Sequence, residues 1–158
     1  PPTAPGELTE ARLFREPLLV AAPPDHRLAA ATELRRADLA GQKVLGLEPG
    51  HQLHDQVRTL CDELGATFLR DYEGTSLDTL RHMVAMGLGL ALLPALYVRS
   101  DIGDRGEGAV LRMRRPRLER HIGLVWRREA SYGEMFEGLA AVIRDVARDR
   151  LPELTVAA

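Results

Sequence analysis

The sequence predicts an α/β domain with a largely parallel sheet. Three observations carry that expectation: short apolar runs closed by proline or glycine, helical segments with apolar residues at spacings of three and four, and alternation of the two kinds over short connections.

Taken in order, Leu18-Leu19-Val20-Ala21-Ala22 is an apolar run stopped by Pro23-Pro24, as expected of a buried strand ended by residues that cannot continue a ladder. Residues 32–39 predict one or two helical turns. Residues 42–47 form a second apolar run, closed by the turn signal Glu48-Pro49-Gly50. From 53 to 64 the apolar positions Leu53, Val57, Leu60, Cys61 and Leu64 mark an amphipathic helix, with Gly65 as its C-terminal stop. Residues 67–72 are a short strand candidate. A second helix follows through Leu77, Leu80, Met83, Val84 and Met86, with Thr75 or Ser76 as N-cap, Asp78 favouring the macrodipole and Gly87 at its end. Residues 89–93 are another buried run, closed by Pro94. The glycine-rich, charged stretch 100–108 reads as a surface loop, and 109–113 and 121–126 are strand-like. Residues 131–150 end the series as an amphipathic helix through Met135, Phe136, Leu139, Val142, Ile143 and Val146.

Length and composition limit the function. The 158 residues suffice for one domain or a little more, and 21 basic against 23 acidic side chains give a net charge of -2. A domain that grips nucleic acid by itself normally carries a basic excess, so direct DNA contact by this chain is not expected. Hydrophobic residues are 45% and aromatics 4%, which predicts an aliphatic core and excludes disorder of the whole chain. Cys61 is the sole cysteine, so neither an intramolecular disulfide nor a cysteine zinc site is available. No signal-peptide pattern and no apolar stretch of about 18 residues is present, so the expectation is a cytoplasmic chain without a membrane partner. The loop-like opening without an initiator Met suggests a piece of something longer.

Ligands of open α/β sheets sit beyond the carboxyl ends of strands, often against a helix N-terminus. Two such places are visible, Glu48-Pro49-Gly50-His51-Gln52 and Gly74-Thr75-Ser76. Two hydroxyls at a helix start suit a small anion or polar effector, and they suit plain capping equally well. His51, His54 and Asp55 invite a metal reading, but no third histidine is near, and solvated or capping histidines are the simpler expectation. Cys61 as a redox thiol competes with a structural role, since it lies on the apolar face of its helix. Ser76 lacks a G-x-S-x-G setting, and Gly87-x-Gly89 lacks the third glycine of a phosphate loop. Nothing specifies an enzyme, a cofactor or a metal.

The stretch Thr75-Ser76-Leu77-Asp78-Thr79-Leu80-Arg81-His82-Met83-Val84-Ala85-Met86-Gly87-Leu88-Gly89-Leu90-Ala91-Leu92-Leu93-Pro94 resembles the effector-domain core of LysR-type transcriptional regulators. Gly50-His51-Gln52-Leu53-His54-Asp55-Gln56 and Ile122-Gly123-Leu124-Val125-Trp126-Arg127 are most similar to the peroxide-sensing members of that family. The resemblance spans about residues 13–148. It implies a type 2 periplasmic-binding-protein-like regulatory domain of two α/β subdomains, with an effector pocket in the cleft between them. It also implies homo-oligomerisation, in which helix 53–64 takes part, and DNA contact through an N-terminal winged helix-turn-helix outside this chain. On this pattern residues 1–18 end subdomain I, 19–120 form subdomain II, 121–150 return to subdomain I, and 151–158 are a tail. Part of subdomain I would then lie elsewhere, leaving the final helix poorly covered.

Residue by residue, the family's peroxide-reactive cysteine follows Gly-His, and Gln52 stands at that place. Its disulfide partner lies nine residues on, at Cys61. His51 and Asp55 match the flanking residues, His54 replaces the usual arginine, and Arg120 matches an arginine placed to support a thiolate. A carboxamide cannot be oxidised to a sulfenic acid, so the first step of the family's redox switch lacks its nucleophile. The expectation is therefore that Gln52, Thr75, Ser76 and Arg120, with His51 and Asp55, bind a small polar or anionic effector without covalent chemistry, peroxide acting only if Cys61 responds alone. The competing expectation is a solute-binding protein of the same bilobal fold.

Overall fold

The computed structural model describes residues 6–102, 109–114 and 117–157. Two compact units are present: unit 1 comprises Pro1–Pro17 and Glu119–Ala158, and unit 2 is the continuous stretch Leu18–Leu118. Strand β1, Leu8–Ala22, contributes to both. The sequence located only its second part, because Glu10, Arg12, Arg15, Glu16 and Pro17 break the apolar pattern of the first.

In unit 2 the chain continues through a two-residue strand β2 (Glu33–Leu34), β3 (Lys43–Leu47), helix α1 (Gln52–Leu64) and β4 (Thr67–Gly74). Helix α2 (Leu77–Ala85), β5 (Leu90–Pro94), the single turn α3 (Ala95–Tyr97) and β6 (Ala109–Met113) follow. The strand order is β2-β6-β1-β5-β3-β4. Strands β3, β4 and β5 are parallel, as are β2 and β6, but β1 lies antiparallel between β5 and β6. The sheet is mixed, with five of its six strands aligned in one direction, as the sequence predicts, and β1 alone reversed. Its odd strand is the one by which the chain enters, with Leu18 opposite Pro94 at the carboxyl end of β5.

The helical turns expected over 32–39 resolve into β2, paired with β6, and a 3-10 turn at Arg36–Leu39. Of the loop expected over 100–108, Val98–Ile102 is a turn of π-helix and residues 103–108 lie outside the described residues.

Strands β3 and β5 explain the aliphatic composition. Val44, Leu45, Gly46 and Leu47, and all five residues of β5, are buried, as strands covered on both faces must be. Helix α1 packs on β3 and β4, and α2 on β3, β4 and β5. The β3-α1-β4 and β4-α2-β5 crossovers run in opposite lateral directions, so right-handed connection places the two helices on opposite faces. Helix α1 buries Leu53, Val57, Cys61 and Leu64, the spacing read from the sequence. Its end is fixed by Gly65 at φ 66°, a left-handed conformation in which the Gly65 N–H donates to the Cys61 carbonyl.

Unit 1 is an antiparallel sheet of β1 residues 8–17 with β7 (Glu119–Arg127) along one edge and β8 (Thr155–Val156) along the other. Helix α4 (Gly133–Arg150) packs on β7 and β8 through buried Ala140 and Ala147. Trp126 lies 5.6 Å from Phe136 between ring centroids, and Arg144 Nε donates to the Arg12 carbonyl at 2.8 Å. Met135, Leu139, Val142 and Val146 remain exposed along one flank of α4.

Candidate effector site

The candidate site in unit 2 is made by two strand ends. Leu47 of β3 lies in register with Gly74 of β4, and the Glu48 N–H donates to the Gly74 carbonyl at 3.0 Å. Immediately beyond that bond the chain turns into α1 on one side and α2 on the other. The bond thus holds the segment carrying His51, Gln52 and Asp55 beside the one carrying Thr75 and Ser76.

Helix α1 is anchored at its start by a residue whose role the sequence reading missed. The sequence predicts a solvated or capping His54; it is buried instead, and its Nδ1 lies 2.6 Å from the Leu47 carbonyl. That carbonyl accepts, so Nδ1 carries the proton. The imidazole meets Phe68 edge-on at 5.2 Å, and Phe68 covers Gly46, where a Cβ would run into the ring. Glycine at position 46 is therefore a packing requirement. The signal for it is the i to i+7 relation between a strand's last carbonyl and a buried residue in the first turn of the next helix.

With its anchor behind it, the first turn of α1 presents exposed Gln52 and Asp55 to solvent. His51 occupies the N-cap position, yet no side chain caps this helix. The His51 Nε2 instead lies 3.8 Å from Glu48 Oε1, a half-exposed contact of little energetic weight. Helix α2 differs. Ser76 is its N-cap, its Oγ accepting from the Thr79 N–H at 3.1 Å, and Thr75 Oγ1 lies 3.4 Å from Thr79 Oγ1. One hydroxyl is thus engaged in capping, while among the described residues nothing engages the Gln52 carboxamide at the start of α1.

Tyr97 adds a residue from the third parallel strand end. Its hydroxyl donates to Asp78 Oδ1 at 2.8 Å. Burial, then the Asp78 hydrogen bond and charge, push its phenol up to about 12 against an opposing effect of Arg81. Tyr97 therefore remains a neutral donor tying the turn after β5 to α2.

Cys61 is 1% exposed, two and a half turns into α1. Burial first, and the neighbouring Asp62 charge second, raise its thiol from 9.0 to about 11. Arg120 belongs to unit 1, where its guanidinium engages Glu16. Among the described residues, no three His, Cys, Asp or Glu side chains gather as a metal site would require, and no helix is long and apolar enough to cross a membrane.

Comparison with known proteins places this geometry. The model of the LysR substrate binding domain matches residues 1–148. The chain is 44% identical over 136 residues to the DNA-binding transcriptional dual regulator OxyR of Escherichia coli K12, covering 85% of this chain and 44% of that protein. It is 32% identical over 145 residues to the hydrogen peroxide-inducible genes activator of Haemophilus influenzae, covering 92% and 48%. The crystal structure of the oxidised form of OxyR superposes with a TM-score of 0.78 at 40% identity, over 92% of this chain and 68% of that one. A Corynebacterium glutamicum OxyR C206 mutant gives 0.82 at 28% identity, over 94% and 46%. The chain spans less than half the length of these curated relatives. By the family model, sequence identity and fold together, this chain belongs to the LysR substrate-binding-domain family and is an OxyR-like regulatory domain.

Proposed function

We propose that the chain is the effector-sensing and oligomerisation part of a cytoplasmic, OxyR-like regulator that contacts DNA through a helix-turn-helix segment outside these residues. It acts by binding, without catalysis and without a resident cofactor. The effector is a small polar or anionic molecule held without covalent chemistry by Gln52, with His51, Asp55, Thr75 and Ser76 around it. Arg120 stays outside this set, since Glu16 already engages it.

The observation that carries this reading is the bond from Glu48 to Gly74, which sets an uncapped helix start beside a second strand end. Backbone N–H groups and a positive helix end favour an anion there, and Gln52 offers both a donor and an acceptor. Family membership supports a regulator over a solute-binding protein of the same fold. A ligand that prefers one packing of two such domains over another would shift their equilibrium, and with it the spacing of attached DNA-binding segments.

The test is a thermal-shift titration with small carboxylates, sulfate and phosphate. A stabilising anion whose shift disappears in Gln52→Leu with Ser76→Ala supports the site. No shift from any anion, or one that survives both substitutions, overturns it.

A further inference from the structure

We infer a second anion site, at the β2–β6 edge of unit 2, that takes a small oligophosphate. A hollow of about 730 Å³ there is lined by Arg35, Arg36, Arg112, Arg114 and Arg117 with Glu33, Ala37 and Met113. Five arginines in one concavity are unexpected for a chain of net charge -2.

Local structure explains how they meet. Strands β2 and β6 run parallel with Glu33 opposite Arg112 and Leu34 opposite Met113, and the Arg114 N–H extends the ladder to the Leu34 carbonyl at 2.7 Å. Leu34, Leu111 and Met113 point into the core, so pleat alternation sends Arg112 and Arg114 outward together. Arg35 and Arg36 join from the turn after β2. The Asp38 carboxylate, a ready partner for any of them, is instead engaged by the Arg35 backbone N–H at 2.7 Å.

Among the described residues, two of the five guanidinium groups pair with a carboxylate. Arg114 pairs with Glu33 at 3.5 Å and Arg36 with Glu63 at 3.1 Å, both on exposed surface. Arg35, Arg112 and Arg117 make no ion pair among the described residues. Guanidinium groups gathered around one hollow repel each other, and a bound anion relieves that repulsion. Guanidinium forks match phosphate oxygens bidentately, which favours phosphate over a halide or a single carboxylate.

The volume falls in the range of small-molecule sites, about 300–1,000 Å³, and exceeds what one phosphate fills. The concave shape and acidic net charge disfavour a nucleic-acid duplex, which needs a basic stripe along its backbone. The hollow lies at the carboxyl end of parallel β2 and β6, where sheets of this kind receive ligands, and β6 stands three places from β3 in strand order. It is therefore separate from the α1 start, and it does not rest on the reading of that site.

The experiment is calorimetric titration of the chain with tripolyphosphate, inorganic phosphate and a short DNA duplex. Tripolyphosphate should bind at least about tenfold more tightly than phosphate, with affinity falling as salt rises. Arg112→Gln with Arg117→Gln should weaken it by about tenfold or more, while Arg128→Gln, an equal charge change per residue in unit 1, should leave it unchanged. Circular dichroism checks folding, and Arg117→Gln alone serves if the double variant unfolds. Equal weakening by Arg128→Gln, unchanged binding in the Arg112 and Arg117 variants, or displacement of tripolyphosphate by duplex DNA at equal phosphate concentration overturns the assignment.

Discussion

Glu16 and Arg120 face each other across β1 and β7, and the arginine brings both Nε and Nη2 to 2.7 Å from the same carboxylate oxygen. Glu16 is fully buried, while the Arg120 side chain keeps 29% of its surface. The pair is a strand-to-strand tie, which gives Arg120 a role that needs no neighbouring thiolate. Glu16 is fully buried, so removing the arginine takes a close counter-charge from a desolvated carboxylate, and Arg120→Ala should lower unfolding stability by about 3 kcal/mol. Urea denaturation measures it, and Glu16→Gln combined with Arg120→Met should recover much of the loss. A single variant as stable as the parent would contradict this account.

The Cys61 thiol should resist oxidation. With its pKa at about 11, the thiolate fraction at pH 7 is about one in ten thousand. Iodoacetamide labelling of the folded chain should be slow and rise about tenfold per pH unit between 7 and 10, with fast labelling in urea. Linkage has a definite sign. The raised pKa means that the unfolded thiol ionises first, so its contribution is complete below about pH 9 and is lost as pH rises towards about 11. A sulfenic acid trapped on Cys61 at low peroxide excess would sink this prediction.

Gln52→Cys tests whether a thiol at this helix start would react with peroxide. The introduced thiol stands at an exposed, uncapped helix start, where the dipole favours a thiolate. Peroxide should convert it to a sulfenic acid with release of water, detectable by dimedone trapping. A disulfide to Cys61, releasing a second water, faces a geometric barrier. Nine helical residues span about 13.5 Å, against a limit of about 7 Å between the α-carbons of a disulfide. Disulfide formation should therefore accompany a loss of helical dichroism, and a disulfide with full helicity would count against the observed placement of α1.

Gly46→Ala should destabilise unit 2 by about 1–3 kcal/mol, because the new methyl runs into the Phe68 ring. Adding Phe68→Leu should return part of that loss, so the two changes together cost less than their sum in a double-mutant cycle. Strict additivity would show that Gly46 and Phe68 do not share this contact.

The legible parts of the fold were those with local causes. Helix α1 and its Gly65 stop, the Ser76 cap of α2 and the buried runs of β3 and β5 all follow from spacing and capping chemistry within a few residues. The first half of β1 was not legible, since Glu16 is a buried charge whose partner lies 104 residues away. The reversed direction of β1 is not legible for a similar reason: periodicity records which face is buried, not which neighbour a strand takes. Among the proposed contacts, His51, Gln52 and Asp55 were readable as the start of a helix after a turn. His54 was misread because its partner is a backbone carbonyl, and the arginine hollow is assembled by a β2–β6 pairing that the sequence does not announce.

The chain crosses between its units twice, at Pro17–Leu18 and at Leu118–Glu119, and the two crossings are bonded to each other through the Leu18 N–H and the Leu118 carbonyl at 2.8 Å. Unit 2 is thus an uninterrupted insert with adjoining ends, whereas the β1–β7 ladder of unit 1 joins segments on either side of it. During synthesis the insert has all of its strands once Leu118 leaves the ribosome, while the first segment must wait for β7 to emerge. The connectivity therefore lets unit 2 complete its strand pairing before β7 is made, while the β1–β7 ladder can close only afterwards.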